Sequence, residues 1–145
     1  MIHEEICTYE VCKLAKETGF PQDPDKNDHC LMYCWDGSLN IHPLAMWIVW
    51  EMEEYDHDNL YAAPTQSRLQ RWLREEKGIF IEVIAQPTCT TSKKNCYWWS
   101  VKQNSDGFCY QYEECSYLLY SDEGYFDTYE LALEDALKYI LQNLV

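Results

Sequence analysis

The Asp106-Gly107 pair constrains the fold most, because it separates two segments in which apolar and polar residues alternate. An Asp-Gly pair in this setting is the strongest short signal for a hairpin with a two-residue turn of type I′. A two-residue loop sets Val101 opposite Tyr112, which gathers the apolar side chains of both strands on one face. A shift of one residue would set Val101 opposite Gln111 and break that face. The pair therefore predicts an antiparallel sheet with a fixed register.

A third strand is predicted before the hairpin. Residues 79–84 read Ile-Phe-Ile-Glu-Val-Ile, a β-branched run that is apolar on both faces. Such a run is more typical of a central strand than of an edge strand. We expect one antiparallel sheet that contains residues 79–86, 96–104 and 108–114, with a further short strand over 117–120.

Two helices are predicted from their caps and their apolar spacing. The first spans about 8–18, with Thr8 as its N-cap and a glycine just past its end. The second spans 65–77, begins after a Pro-Thr pair and ends at Gly78. Both carry apolar residues three and four positions apart, so each has one face suited to a core.

A third helix over 128–144 is predicted at the end of the chain. Asp127 and Glu130 have the spacing of a capping box with Asp127 as the N-cap. Leucines and isoleucine recur behind them at helical spacing. We expect the helices and the sheet to share one core. Its predicted members are Trp72, Leu73, Leu137, Leu141, Ile81, Val83, Trp99 and Val101.

These elements predict a single α+β domain over residues 1–145, in which an antiparallel sheet of three to five strands packs against two or three α-helices. A chain of 145 residues has an ordinary length for one domain. Residues 20–63 fit no single interpretation. Cys30 to Trp35 is compatible with a strand, and the apolar run over 43–52 is compatible with either a strand or a helix.

Nothing in the sequence indicates membrane insertion or export. No apolar stretch approaches the roughly 18 residues of a membrane span. The acidic start Met-Ile-His-Glu-Glu-Ile lacks the apolar region of a signal peptide. We therefore expect a cytoplasmic protein that makes no membrane contact.

The net charge restricts the class of partner. Twenty-five Asp and Glu residues against eleven Lys and Arg residues give a formal net charge of −14. A surface of this sign repels a phosphate backbone, so nucleic-acid binding is disfavoured. The charge suits a basic partner, and a DNA-mimicking inhibitor of a nucleic-acid-binding protein would need a similar excess. Its simplest interpretation is that net charge keeps a protein in solution.

Eight cysteines raise the question of disulfides and metal sites. In a chain with its own core and no export signal, we expect reduced thiols that pack as small apolar groups. His29, Cys30 and Cys34 come nearest to a zinc site, but no second pair has zinc spacing. Asp23 to Asn27 resembles the opening of a calcium loop, without the glycine and glutamate that complete one. We expect no metal, no cofactor and no disulfide.

The second predicted helix carries a basic stripe on the side opposite its apolar residues. The stripe consists of Arg68, Arg71, Arg74 and Lys77. A basic stripe suits a phosphate, a nucleic acid or an acidic partner surface. The alternative is a solvated helix face whose charges pair with the acids of residues 51–58.

Aromatic residues are numerous, with six tryptophans, twelve tyrosines and four phenylalanines. One core of this size cannot hide them all, and exposed Trp and Tyr favour interfaces. Trp98 falls on the polar face of its predicted strand, away from the core. The predicted interaction surface consists of Arg68, Arg71, Arg74, Trp47, Trp50 and Trp98.

No catalytic signature is present in the sequence. The four histidines are scattered, and no nucleophile elbow, zinc-protease motif or phosphate loop occurs. His57 stands between Asp56 and Asp58, but neighbours along one loop usually face water. The sequence therefore predicts a non-enzymatic protein-binding module. The alternative is an enzyme whose site is assembled from distant residues.

Three segments resemble a group of small uncharacterised proteins of phages and prophages, many from gut Bacteroidetes. Residues 63–75 read Ala-Pro-Thr-Gln-Ser-Arg-Leu-Gln-Arg-Trp-Leu-Arg-Glu, and a Gly-Ile pair and a strand follow. Residues 8–20 and 126–132 resemble the opening and closing helices of the same group. The resemblance implies a mobile-element origin and an accessory role in a bacterial cytoplasm, with a host or phage protein as partner. The group has no assigned activity, so it implies no functional residue.

Overall fold

Three α-helices, one short 3₁₀-helix (His57–Asn59) and two antiparallel sheets make up the described part of the chain. The structure is a computed structural model that describes residues 4–22, 31–40, 57–86, 96–105, 108–112 and 126–145. The α-helices are α1 (Tyr9–Glu17), α2 (Gln66–Lys77) and α3 (Tyr129–Asn143). The strands are β1 (Met32–Cys34), β2 (Leu39–Asn40), β3 (Leu60–Ala62), β4 (Ile79–Gln86), β5 (Cys96–Ser105) and β6 (Phe108–Tyr112). These elements confirm the predicted α+β class.

A threonine hydroxyl caps the start of each helix. Thr8 Oγ1 accepts a hydrogen bond of 3.4 Å from the backbone N–H of Val11 in α1. Thr65 Oγ1 accepts the corresponding bond from the N–H of Arg68 in α2, at 3.3 Å. Each cap satisfies one of the backbone N–H groups that a helix start leaves unpaired. Both predicted starts are confirmed.

The predicted cap of α3 is wrong by one residue. Thr128, rather than Asp127, is the N-cap, and its hydroxyl accepts a hydrogen bond from the N–H of Leu131. The backbones of Phe126 and Tyr97 exchange two hydrogen bonds of 2.9 Å. This bridge holds the chain against β5 until just before the helix, which begins one residue later than predicted. Asp and Thr are both good caps, so the sequence alone does not choose between them.

Gly78 ends α2 and turns the chain directly into β4. Its φ of 65° lies in the left-handed region that side chains disfavour. Its N–H donates to the carbonyl of Leu73, which closes the last turn of the helix. Gln70 Nε2 then donates to the carbonyl of Ile81 at 3.1 Å. This bond fastens α2 to the strand that follows it.

The larger sheet has the strand order β4-β5-β6, and both of its pairings are antiparallel. Val101 lies opposite Tyr112, as a two-residue loop requires, so the predicted register of the hairpin is confirmed. The loop itself, residues 106–107, lies outside the described residues. On its other side Val101 lies opposite Ile81 of β4.

The prediction that β4 is a central strand is wrong for the described residues, in which β4 lies at the end of its sheet. Its side chains Ile79 and Ile81 are buried, and α2 and α3 contact the strand. On the other face Phe80 is 37% exposed, and Glu82 pairs with Lys102 at 3.0 Å. The apolar pattern of β4 therefore arises because helices cover one face of the strand while the other face is partly exposed. In the described residues it does not indicate a neighbouring strand on each side.

A second sheet forms in the segment for which the sequence left alternatives open. Its strand order is β2-β1-β3, and both pairings are antiparallel. These strands have only two or three residues each, which is too few for a periodic pattern to reveal. The Tyr9 ring of α1 packs edge-on against Tyr33 and Tyr61, with centroids 5.7 and 5.4 Å away. These ring contacts join the small sheet to α1.

α3 is the central helix, because it contacts α1, α2, β4 and β5. Most of the buried apolar side chains of the described residues, those of α3 among them, form one cluster. Of the predicted core, Leu73, Ile81, Trp99, Val101, Leu137 and Leu141 are buried, and Trp72 and Val83 pack against the cluster while partly exposed. The indole N–H of Trp99 donates to Asp135 at 2.9 Å, so this buried ring keeps a polar partner.

The sequence also makes predictions for several shorter segments and for the chain as a whole. The strand considered between Cys30 and Trp35 is present as β1. The strand at 117–120, the apolar run at 43–52 and the calcium-like segment at 23–27 lie outside the described residues. The single domain over 1–145 stays a prediction. Within the described residues, no helix combines the length and the apolar character that crossing a membrane requires.

Leu137→Ala tests whether α3 organises the core. Leu137 is fully buried, so we expect the free energy of unfolding to fall by about 2–5 kcal/mol through lost burial and the cavity left behind. Leu131→Ala, on the same helix, is the control. The Leu131 side chain is 55% exposed, and its loss should cost less than about 0.5 kcal/mol. Urea denaturation measures both, and equal losses would contradict this packing.

Candidate functional site

The structure brings together only part of the predicted interaction surface. Arg68, Arg71 and Arg74 share the helix α2, where Arg68 is half-buried and the other two are exposed. Trp98 is half-buried in β5. Trp47, Trp50 and the acids at 51–56 lie outside the described residues. The pairing of the basic stripe with residues 51–58 therefore stays a prediction.

The arginine side of α2 borders a cleft of about 250 Å³. Phe20 and Trp72 form its aromatic wall, and their rings meet edge to face at 5.3 Å between centroids. Arg71 Nε binds Glu75 Oε1 at 2.8 Å, and this hydrogen bond lowers the pKa of the Glu75 carboxyl. The cleft therefore carries both signs of charge, and its tryptophan is Trp72 rather than the predicted Trp98.

Trp35 is the most exposed large apolar side chain among the described residues, at 72%. It lies in the turn between β1 and β2, which pair with each other. The Gly37 N–H donates to the Cys34 carbonyl and the Cys34 N–H donates to the Ser38 carbonyl, both at 2.9 Å. Gly37 has a φ of 79°, a conformation that a residue with a side chain adopts only at a cost. These bonds define a tight turn.

Further contacts restrain the same turn. Asp36 Oδ1 accepts hydrogen bonds from the Ser38 hydroxyl at 2.6 Å and the Ser38 N–H at 2.9 Å, and they lower the pKa of the Asp36 carboxyl. The Tyr9 hydroxyl donates to the Trp35 carbonyl at 3.1 Å. The Tyr9 ring lies 3.7 Å from the position of a Cβ built on Gly37. Trp35 is therefore presented to solvent by a backbone held at several points.

The sequence predictions missed Trp35, although a signal was present. Asp36-Gly37-Ser38 follows it directly, and these residue types favour tight turns. The strands on either side have only three and two residues. Trp35 lies at the tip of this short hairpin, where Tyr9 of α1 binds its backbone carbonyl and leaves its side chain exposed.

The starts of α1, α2 and α3 meet at the half-buried carboxylate of Glu134. Its Oε1 accepts a 2.7 Å hydrogen bond from the backbone N–H of Thr8, the N-cap of α1. Its Oε2 accepts a 2.8 Å bond from Nε2 of Gln66, the buried first residue of α2. Gln66 Nε2 also donates to the Glu130 carbonyl at 3.0 Å. One carboxylate of α3 thus binds the start of each of the other two helices.

Glu134 replaces a missing part of a capping box. In a capping box, the glutamate three residues after the N-cap accepts a hydrogen bond from the N-cap N–H. In α1 that position is Val11, which has no side-chain acceptor. The acceptor comes instead from Glu134, 126 residues further along the chain. A carboxylate in this place also interacts favourably with the positive end of the helix dipole.

Two adjoining clefts lie beside this junction, and we name them together the helix-start groove. Leu131 borders the larger cleft, of about 360 Å³. Tyr129 borders the smaller one, of about 160 Å³. Both clefts are lined by Glu5, Gln66 and Glu130, so they share a wall.

Cys7 and Cys12 lie at the start of α1 and are fully buried. They occupy the position before the N-cap and the position four after it, where paired apolar residues form a hydrophobic staple. Burial first, and then the charge of Glu134, raises the pKa of both thiols above the ordinary value of 9.0. The Cys12 thiol lies 3.6 Å from the Cys7 carbonyl and donates to it. Both thiols therefore stay protonated, and a protonated thiol is a weak nucleophile.

The described residues contain no assembled metal site. The four cysteines whose side chains are described, Cys7, Cys12, Cys34 and Cys96, take part in no disulfide. No group of three or more His, Cys, Asp or Glu side chains in the described ranges is placed to hold an ion. Cys34 is half-buried, while His29 and Cys30 lie outside the described residues. The absence of a metal from this trio stays a prediction.

Comparison with known proteins adds no family to these observations. No family model, no curated protein and no solved structure matches the chain. The resemblance of residues 8–20, 63–75 and 126–132 to phage proteins stays a prediction.

Glu134→Gln tests the junction of the helix starts. The glutamine side chain keeps one oxygen acceptor, but an NH₂ donor replaces the second. Both partners, the Thr8 N–H and Gln66 Nε2, are donors, so one of the two hydrogen bonds is lost. We expect the free energy of unfolding to fall by about 1–3 kcal/mol, the cost of leaving a partly buried polar group without its partner. Glu130→Gln is the matched control, because its side chain is exposed. Urea denaturation should give a change below about 0.5 kcal/mol for the control.

The buried thiols predict a loss of stability at high pH. Their pKa is raised in the folded state, so above pH 9.0 only the unfolded chain ionises them. Ionisation then favours unfolding, and the free energy of unfolding should fall by about 1.4 kcal/mol per pH unit for each thiol. Urea denaturation with reductant, repeated from neutral pH upward, measures the slope. The double variant Cys7→Ala/Cys12→Ala should have a shallower slope, and an unchanged slope would refute the assignment.

Proposed function

We propose that this protein is a non-enzymatic protein-binding module that contacts its partner through the Trp35 turn. The observation that carries the proposal is a tryptophan side chain 72% exposed on a restrained turn. Tryptophan is among the residues that contribute most binding energy at protein interfaces. So exposed an indole adds nothing to the core of the free protein, but it gains buried area in a complex.

The turn is suited to binding because it is already ordered. Hydrogen bonds from Tyr9, Gly37 and Ser38 hold it in place. Association therefore loses less conformational entropy than the ordering of a flexible loop would. Asp36, the next residue in the turn, is ionised throughout the neutral range, because an Asp carboxyl ordinarily titrates well below it and the Ser38 hydrogen bonds lower its pKa further. We expect a partner pocket that is apolar at its centre and bordered by a hydrogen-bond donor or a basic group.

The cleft beside α2 is a second contact surface in this proposal. It combines the aromatic wall of Phe20 and Trp72 with Arg68 and Arg71, and aromatic residues and arginine are both enriched at interfaces. The Arg71–Glu75 pair is largely exposed on both sides. An exposed ion pair contributes little, so a partner displaces it at small cost.

The biological setting is the other part of the proposal. We infer an accessory protein of a phage or another mobile element, which acts on a host or phage protein in a bacterial cytoplasm. This inference rests on the sequence resemblance of residues 8–20, 63–75 and 126–132. The net charge of −14 favours a protein partner over a nucleic acid.

Affinity capture from a bacterial lysate tests the proposal with three forms of the chain. The forms are the natural sequence, Trp35→Ala and Phe80→Ala, and each variant removes one exposed aromatic side chain. We expect the natural sequence and Phe80→Ala to retain a protein that Trp35→Ala loses. Titration of that purified partner should show a loss of roughly thirtyfold in affinity for Trp35→Ala, as for a hot-spot residue that contributes about 2 kcal/mol.

The fold of the variants is checked in parallel. Trp35→Ala should unfold within about 0.5 kcal/mol of the natural sequence, because its side chain is exposed. A partner that binds Trp35→Ala as tightly as the natural sequence would refute the role of the turn. Failure of the natural sequence to retain any protein above an empty resin would count against a binding module.

A further inference from the structure

We propose that the helix-start groove is a docking site for a basic segment of another protein, in which an apolar side chain stands between lysines or arginines. Two apolar side chains on the first turn of α3 remain exposed at this groove, Leu131 by 55% and Tyr129 by 41%. Each borders one of the two clefts. Leu131 and Tyr129 therefore offer one apolar contact on each side of the wall that the two clefts share.

These side chains do not serve the core. The buried face of α3 begins at Ala132 and Leu133 and continues through Leu137 and Leu141. Leu131 and Tyr129 lie outside this face, so α3 would still form and pack if either residue were polar. A single exposed leucine is ordinary in a protein surface. Two exposed apolar side chains that border adjoining clefts are instead typical of a contact surface.

The charge around the groove defines the chemistry of its occupant. Glu4, Glu5 and Glu130 line the clefts, and their residues are exposed. Glu134 is already engaged, since each of its oxygens accepts a hydrogen bond within the fold. The exposed carboxylates thus stand beside the apolar side chains of Tyr129 and Leu131, an arrangement that complements an apolar side chain flanked by cations. The net charge of −14 would speed the approach of such a segment.

A second copy of this chain is the less suitable occupant. It would bring the same exposed carboxylates against themselves, and like charges at an interface disfavour association. The groove is also stiffened by the hydrogen bonds of Gln66, which lies in the shared wall. A preformed surface binds without the cost of ordering.

Short acetylated peptides are the probes, and amide chemical shifts of the isotope-labelled chain are the readout. A peptide of alternating lysine and leucine should shift the resonances of residues 5–8 and 128–134. A lysine-serine peptide of equal charge should bind roughly tenfold more weakly, since burial of a leucine drives about a decade of affinity. A glutamate-leucine peptide should not bind.

Two variants of equal net charge locate the contact. Leu131→Gln should weaken binding of the lysine-leucine peptide roughly tenfold for the same reason. Phe80→Gln, on β4, should leave the affinity unchanged. Neither variant alters the Trp35 turn, so the failure of this proposal and the failure of the turn as a binding site are separate results.

Four outcomes would overturn the proposal. Shifts spread over the whole acidic surface, or equal affinity for the lysine-serine peptide, would mean that charge alone attracts the probe. Equal binding of the glutamate-leucine peptide would mean that the groove does not select cations. A dimer of the free chain in sedimentation, abolished by Leu131→Gln, would assign the groove to a second copy.

Discussion

The carboxylate of Glu134 is the polar contact that joins the starts of the helices. It binds the backbone of Thr8 and the side chain of Gln66, so the starts of α1 and α2 lie at one point of α3. The segments before α1 and α2 are also joined, by bonds from the Gln66 N–H to the Glu5 carbonyl at 2.8 Å and from the Cys7 N–H to the Pro64 carbonyl at 3.0 Å. A half-buried carboxylate without these donors would be costly. The three helix starts therefore stabilise one another.

This junction also determines how the surface is presented. Thr8 is bound to Glu134, and the next residue, Tyr9, binds the carbonyl of Trp35 and packs on the small sheet. The first turn of α1 thereby connects the junction to the backbone of the Trp35 turn. This support makes the turn a preformed contact surface, whereas a flexible loop would have to become ordered on binding. The fold and the proposed function are linked through these two neighbouring residues.

Acidic side chains have several distinct roles in this protein. Glu134 and Asp135 accept hydrogen bonds from the N-cap of α1, from Gln66 of α2 and from the indole of Trp99 in β5. Asp36 fixes a turn through its own neighbour Ser38. The carboxylates around the helix-start groove instead remain exposed. A net charge of −14 therefore combines structural acceptors with acids that face solvent.

The sequence by itself determined the features that depend on near neighbours. The cap Thr8, the start of α2 after the Pro64-Thr65 pair, its end at Gly78 and the register of Val101 against Tyr112 were all predictable. Each of these depends on bonds or pairings within a few residues of a turn or a helix end. The arginines of the candidate surface were likewise predictable as the outer side of a helix, because helical spacing alone places them there.

Only the tertiary structure decided which elements meet. The bond from Thr8 to Glu134 joins residues 126 positions apart, and no local pattern encodes such a pairing. The same reason applies to β4, whose apolar residues indicate burial but not whether a helix or a strand covers them. It applies to Trp35 as well, because the exposure of a side chain depends on what packs beside it. Local bonds select the elements, while burial against distant residues selects their arrangement.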